Sequence, residues 1–268
     1  MTDNALRQQS IYDILRRSAA RHPQKLAIRQ HGVGWTYAEF HHLCRAAAAG
    51  LAARGIQPGD RVAILSRNSN AFAVARFAIA AAGAVLVPVN FMLNAQEAAY
   101  IVDHSEARLL LVGPTEVDKA LAVAGLCPRV ESLLWLNLDS PPAEGLGASS
   151  ELLQTEPLSR PVAVDERTPA QIIYTSGTES APKGAVLSHA AVLWQYGSIL
   201  ADAEVAGDDR LLHALPLFHC AQLDCFLGPS LQAGGSNIIT DDNSADNLLR
   251  LLQEECITSF FAPPTVWI

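Results

Sequence analysis

The sequence predicts an α/β protein of two lobes, each built on a largely parallel sheet flanked by helices. Three observations carry that prediction. Short β-rich apolar runs alternate with segments of helical periodicity along nearly the whole chain. Two strand–helix–strand crossovers fall between residues 61 and 112, a spacing that calls for a parallel sheet covered on both faces. A turn-rich stretch from 138 to 160 separates two such alternating halves. The expected division is therefore a first lobe with its connector, 1–165, and a second lobe, 166–268.

In chain order, Ile11, Ile14, Leu15 and Ala19 keep helical spacing after Ser10, a suitable N-cap. Thr36-Tyr-Ala-Glu39 is a capping-box pattern opening a long alanine-rich helix that Gly55 can end. After the Pro58-Gly59-Asp60 turn come the strand R-V-A-I-L, a helix near 71–82 and the strand A-V-L-V-P. Asn94-Ala-Gln-Glu97 caps a further helix before the strand at 107–112. The run D-S-P-P-A-E-G-L-G-A-S-S reads as an exposed connector. Alternation resumes with the strand Q-I-I-Y-T at 171–175 and a small-residue loop, followed by a helix from about Ser188. Then follow the strand R-L-L-H-A-L, a helix near 223–232, S-N-I-I-T, a helix from about 246 to 255 and a last strand, I-T-S-F-F-A, with no helix after it.

Composition narrows the function. Half of the 268 residues are hydrophobic, enough for a sizeable core, and 17% are charged, too few for a disordered chain. The net charge of −8 excludes an overall basic nucleic-acid binder. Five cysteines at no C-x-x-C spacing, with no apolar leader, point to the reduced cytoplasm. The alanine-rich stretch 71–91 is interrupted by Arg76, Gly83 and Pro88, so it reads as a buried helix-to-strand step and not a membrane span.

The chemistry concentrates at I-I-Y-T-S-G-T-E-S-A-P-K-G, residues 172–184. An apolar strand runs into Thr175, Ser176, Gly177, Thr178, Glu179 and Ser180, then Pro182, Lys183 and Gly184. Small residues let backbone N–H groups approach an anion, hydroxyls add donors, and the lysine brings a charge that reaches phosphate oxygens. This is a loop suited to a polyphosphate; a solvated surface turn between two strands has the same composition. Gly177 and Lys183 keep P-loop spacing, but Pro182 replaces the second glycine and Gly184 the magnesium-binding hydroxyl. The loop is thus of another kind.

Y-T-S-G-T-E-S-A-P-K-G resembles the signature loop of the adenylate-forming (AMP-binding) enzymes: acyl-CoA synthetases, firefly luciferases and peptide-synthetase adenylation domains. The usual form is T-S-G-T-T-G-x-P-K-G, so Glu179 and Ser180 depart from it. T-S-G-T-E-S is similar to a variant among bacterial fatty-acyl-CoA ligases. G-A-V-L-V-P-V-N-F at 83–91, L-P-L-F-H at 215–219 and A-P-P-T at 262–265 resemble further family blocks, in order. The resemblance implies that Lys183 and His219 are catalytic and that Thr175, Ser176, Gly177, Thr178, Glu179, Ser180, Lys183 and Gly184 bind nucleotide. It implies ATP, Mg²⁺ held mainly through the nucleotide, CoA and a carboxylic acid, preferably a fatty acid, as reactants.

His219 follows an apolar run, the setting of many core histidines, and the preceding P-L-F is what favours a site role. Gln222 stands where the family often has glycine, which would narrow the acyl pocket or make it more polar. His213, His219, Cys220, Asp224 and Cys225 cluster, but the cysteine spacing and the lack of a second pair leave no metal ligand set. Tyr196-Gly197 starts like the family's Y-G-x-T-E motif and continues as helix. The resemblance further implies a piece of a longer enzyme, lacking the later motifs and the C-terminal lid domain and inactive alone. Apolar surface near Phe260, Phe261 and Trp267 would then favour self-association. The other readings are a non-catalytic α/β binding module and an aryl- or amino-acid-adenylating enzyme.

Overall fold

Two sheets face one another across a shared layer of helices. The structure, a computed structural model, describes residues 9–138, 140–175 and 181–267, without the side chains of Thr265 and Trp267. The first sheet runs, in spatial order, β12 (Ser259–Phe260), β10 (Arg210–His213), β11 (Ser236–Ile239), β1 (Leu26–Gln30) and β2 (Val33–Thr36). The second runs β7 (Gly147–Ala148), β6 (Ser132–Trp135), β5 (Ala107–Val112), β3 (Arg61–Leu65), β4 (Val85–Val89), β8 (Pro169–Thr175) and β9 (Lys183–Ser188). Neighbours are parallel except β1–β2 and β8–β9. The expected class, largely parallel sheets with helices on both faces, is what the chain forms.

The central layer holds α1 (Tyr12–Arg21), α2 (Tyr37–Ala53), α3 (Asn70–Ala81), α6 (His189–Asp202) and α8 (Gly228–Ala233). Outside the second sheet lie α4 (Ala95–His104) and α5 (Val117–Leu126), and outside the first lies α9 (Ala245–Glu254). Alternation within one strand divides the core: Val62 and Ile64 of β3 face the central layer, Ala63 and Leu65 the outer helices. All twelve residues of α3 are buried, and β4 behind it is buried throughout, as the helix-to-strand reading of 71–91 requires. Among the described residues no helix is long and apolar enough to cross a membrane.

Local signals act as expected at several helix starts. Thr36 with Glu39, and Asn94 with Glu97, form complete capping boxes, and Ser188 caps α6. Elsewhere the structure departs from the sequence reading. Ile11, not Ser10, is the residue before α1; the Ser10 amide and hydroxyl turn to the Asp13 carboxylate instead. The sheets do not divide near residue 165: β1 and β2 cross to the first sheet, while β8 and β9 complete the second. The β1–β2 hairpin turns on His31 and Gly32, both at positive φ, and a His-Gly turn lacks the Asn-Gly signal that announces such hairpins. The connector is only partly exposed, since Leu146, Ser149 and Leu152 are buried. Leu152 lies against the bare Cα of Gly50, where any Cβ would stand 2.4 Å from its backbone. The helix expected at 223–232 is a composite of α7 (Cys220–Gln222), a π turn (Leu223–Leu227) and α8, and a short helix α10 (Pro264–Trp267) follows β12.

Candidate active site

The β8–β9 hairpin is the frame of the signature loop. Its last cross-strand pair is Thr175 with Lys183, both exposed, so the loop springs from between a hydroxyl and an ammonium group. Ser176, Gly177, Thr178, Glu179 and Ser180 lie outside the described residues. Gly184 pairs with Tyr174, and a Cβ there would meet the Tyr174 ring at 3.0 Å and Ile172 Cγ2 at 2.9 Å. The ring thus covers the glycine across the strands, a packing that a side chain at 184 would displace. Tyr174 shares a hydrogen bond of 2.8 Å with His104 Nδ1, and His104 stacks on Tyr100. Burial pushes the Tyr174 phenol up to about 12.

His219 sits on the turn that follows β10. Asn68, from the loop between β3 and α3, grips that turn: its Oδ1 accepts from Leu217 N at 2.7 Å, and its Nδ2 donates to Leu215 O at 2.8 Å and Thr240 O at 3.0 Å. One buried amide therefore ties the second sheet to the ends of β10 and β11. Nδ1 of His219 accepts from Ala221 N at 3.1 Å and starts α7, which assigns the proton of the neutral ring to Nε2. A cleft of about 350 Å³ opens beyond the carboxyl ends of β4 and β8, lined by Asn90, Thr175, Pro182, Phe218, His219 and Cys220 among others. Parallel sheets present ligand sites at these strand ends. Thr175 and His219, singled out for different reasons, thus border one cleft, with Lys183 directly after Pro182.

Gln222 is not in that cleft. It is buried and donates to His213 Nδ1, while His213 Nε2 bonds Asn237 Oδ1 at 2.8 Å. The sequence reading had it shaping the acyl pocket; its partner on β10 draws it the other way. Burial pushes His213 down to about 4, with the Asn237 bond opposing that shift. Asn68, Gln222 and Asp224 are anchors that only tertiary pairing reveals; the one advance signal is a polar residue inside an apolar run. Tyr196 is likewise a core residue, buried on α6. The cleft's described lining contains no carboxylate, so these residues do not form a magnesium site on their own.

Residues 15–268 match the family model described as AMP-binding enzyme. The chain is 35% identical over 252 residues to a feruloyl-CoA synthase of an Amycolatopsis species, covering 94% of this chain and 48% of that protein. It is 32% identical to a long-chain-fatty-acid–CoA ligase of Thermus thermophilus, covering 97% of this chain and 48% of the other. Among solved structures, a fatty acyl CoA synthetase of Mycobacterium tuberculosis superposes with a TM-score of 0.84 at 29% identity, over 96% of this chain and 50% of that one. The chain spans about half the length of the curated relatives it matches. With its hairpin, its cleft and the match over nearly all its length, the chain belongs to the AMP-binding enzyme family.

Proposed function

We propose that this chain carries the phosphate-binding and acid-activating part of an acid–CoA ligase. The reaction has two halves: a carboxylate attacks the α-phosphate of ATP, giving acyl-AMP and pyrophosphate, and the CoA thiol then displaces AMP from the acyl carbon to form the thioester. The observation that carries the reading is the shared cleft, with Thr175 and Pro182 from the hairpin on one side and His219 on the other. In this reading Lys183 neutralises charge on the β- and γ-phosphates while Thr175, Ser176 and Thr178 donate hydroxyl bonds and Gly177 leaves room for the backbone. Glu179 and Ser180 belong to the same loop, and Gly184 keeps Tyr174 seated at its base. His219 offers Nε2–H to the reacting carboxylate. Such chemistry depends on positioning and on charge stabilisation at fixed donors. Mg²⁺, when bound with the nucleotide, adds charge neutralisation there.

A fatty acid is the preferred substrate, supported by the T-S-G-T-E-S variant and by the apolar residues Pro88, Leu93, Ile101 and Phe218 around the cleft. The feruloyl-CoA synthase relative supports a second reading, an aryl acid. A cytoplasmic setting fits the five unpaired cysteines. The test is CoA-thioester formation from ATP by the full-length ligase in which this reading places the chain, with parallel panels of saturated fatty acids and hydroxycinnamic acids. Higher kcat/KM for fatty acids supports the first reading and higher values for hydroxycinnamic acids the second. No thioester from either panel refutes both.

A further inference from the structure

The turn that carries His219 continues into a π turn whose Asp224 is fully buried and bonded to three separate elements. Asp224 Oδ1 accepts from Arg76 Nη2 of α3 at 3.2 Å and from the Tyr196 hydroxyl of α6 at 3.1 Å; Oδ2 accepts from Gln171 Nε2 of β8 at 2.6 Å. Gln171 is itself buried, four residues before Thr175 on the same strand. One carboxylate therefore joins the segment bearing His219 to the strand that delivers the phosphate hairpin. The two halves of the cleft hang from different sheets, His219 after β10 of the first and Thr175 at the end of β8 of the second.

Stability does not account for this arrangement. Burying an ion pair costs desolvation that well-packed apolar residues avoid, and exchanging such a pair for them is often neutral or stabilising. Here Arg76 keeps Nε and Nη1, and Gln171 keeps Oε1, without a partner among the described residues. Fixed geometry is what the bonds supply. The π turn, one residue wider than an α turn, is the local irregularity in the helix, and it contains Asp224.

We propose that Asp224 is a positioning residue which, through Gln171, sets the separation between His219 and the phosphate hairpin for acid activation. The inference rests on the proposed ligase reading. It predicts that cutting the Asp224–Gln171 link harms the reaction without harming the fold, whereas removing the charge does the opposite. Gln171→Met keeps the length of the side chain and removes its donor. Asp224→Asn keeps the link, because the new amide can donate to Gln171 Oε1 once that side chain flips, but leaves Arg76 without its counter-charge.

The experiment, made on the full-length protein that carries this chain, measures single-turnover pyrophosphate release, KM for ATP and for the acid, the melting temperature, and the affinity of a sulfamate analogue of the acyl-adenylate, which spans both halves of the cleft. For Gln171→Met we expect release at least about tenfold slower, since small misplacements cost that much or more, with both KM values within about twofold and the analogue bound about tenfold more weakly. For Asp224→Asn we expect a lower melting temperature with release within about threefold of the wild type. A Gln171→Met protein that releases pyrophosphate and binds the analogue like the wild type overturns the proposal. So does an Asp224→Asn protein that folds normally yet loses the reaction, because then the charge and not the link matters. A wild-type protein that releases no pyrophosphate with any acid refutes the ligase reading itself, and this outcome is read before either variant.

Discussion

At the scale of single residues, the proposed chemistry depends on what Lys183 does. It is exposed at the first position of an edge strand, so its removal leaves the core untouched. Exposed substitutions of that sort usually change stability by less than about 0.5 kcal/mol. Lys183→Ala is therefore expected to melt with the wild type while slowing acyl-adenylate formation by about two orders of magnitude, the scale seen when one charge-stabilising donor is lost. Pyrophosphate release at the wild-type rate would remove Lys183 from the mechanism. Residues of this class were legible in the sequence because small residues, hydroxyls and a lysine after a strand name their own chemistry. Asn68, Gln171 and Asp224 were not, because each matters only through partners far away in sequence: Asn68 bonds residue 217, and Asp224 bonds residues 76 and 171. Nothing local distinguishes the glutamine of A-Q-I-I-Y from an ordinary polar strand position.

At the scale of elements, the hairpin joins packing to chemistry. Gly184 is at the foot of the signature loop and its bare Cα is the seat of the Tyr174 ring. Valine favours strands in general, yet Gly184→Val must push that ring off and break its contact with His104. A loss of about 1–3 kcal/mol, the cost of overpacking, is expected in denaturant titrations together with weaker ATP binding. The neighbouring exposed Ala185→Val should leave both almost unchanged. Equal effects of the two substitutions would show that the Tyr174 seat is irrelevant. Helix starts with full capping boxes and strands with continuous apolar runs were legible from local pattern. The His31-Gly32 hairpin and the strand at 183–188 were hidden, the first by an unusual turn residue. The second was hidden because K-G-A-V-L-S is short, half exposed and runs straight into the cap of α6.

At the scale of the whole molecule, alternation along the chain gave the class but not the division, since which strands share a sheet is decided by long-range pairing. Ile28 lies opposite Asn237, and Leu86 opposite Gln171; neither pairing leaves a trace in nearby sequence. The interleaving buries His189 and His213 and half-buries His41, on three different elements, and these set the acid stability. Burial pushes His41, His189 and His213 down to about 4 from an ordinary value of 6.5. Between those limits the unfolded chain binds more protons than the folded one, so stability rises with pH. It is fully present above about 6.5 and falls away as the pH drops toward 4, which melting curves across that range will show. A melting temperature flat from pH 7 to 5 would contradict the neutral state of these rings. In the proposed function the hairpin and the His219 turn, hung from different sheets, meet to activate an acid with ATP. Isotope exchange in the full-length protein reads that step alone, by following labelled pyrophosphate into ATP with the carboxylic acid present or withheld and no CoA added. The expected exchange requires the acid, proceeds without CoA and collapses in Lys183→Ala; exchange that ignores the acid, or none with any acid in a folded, ATP-binding protein, would contradict the proposed activation.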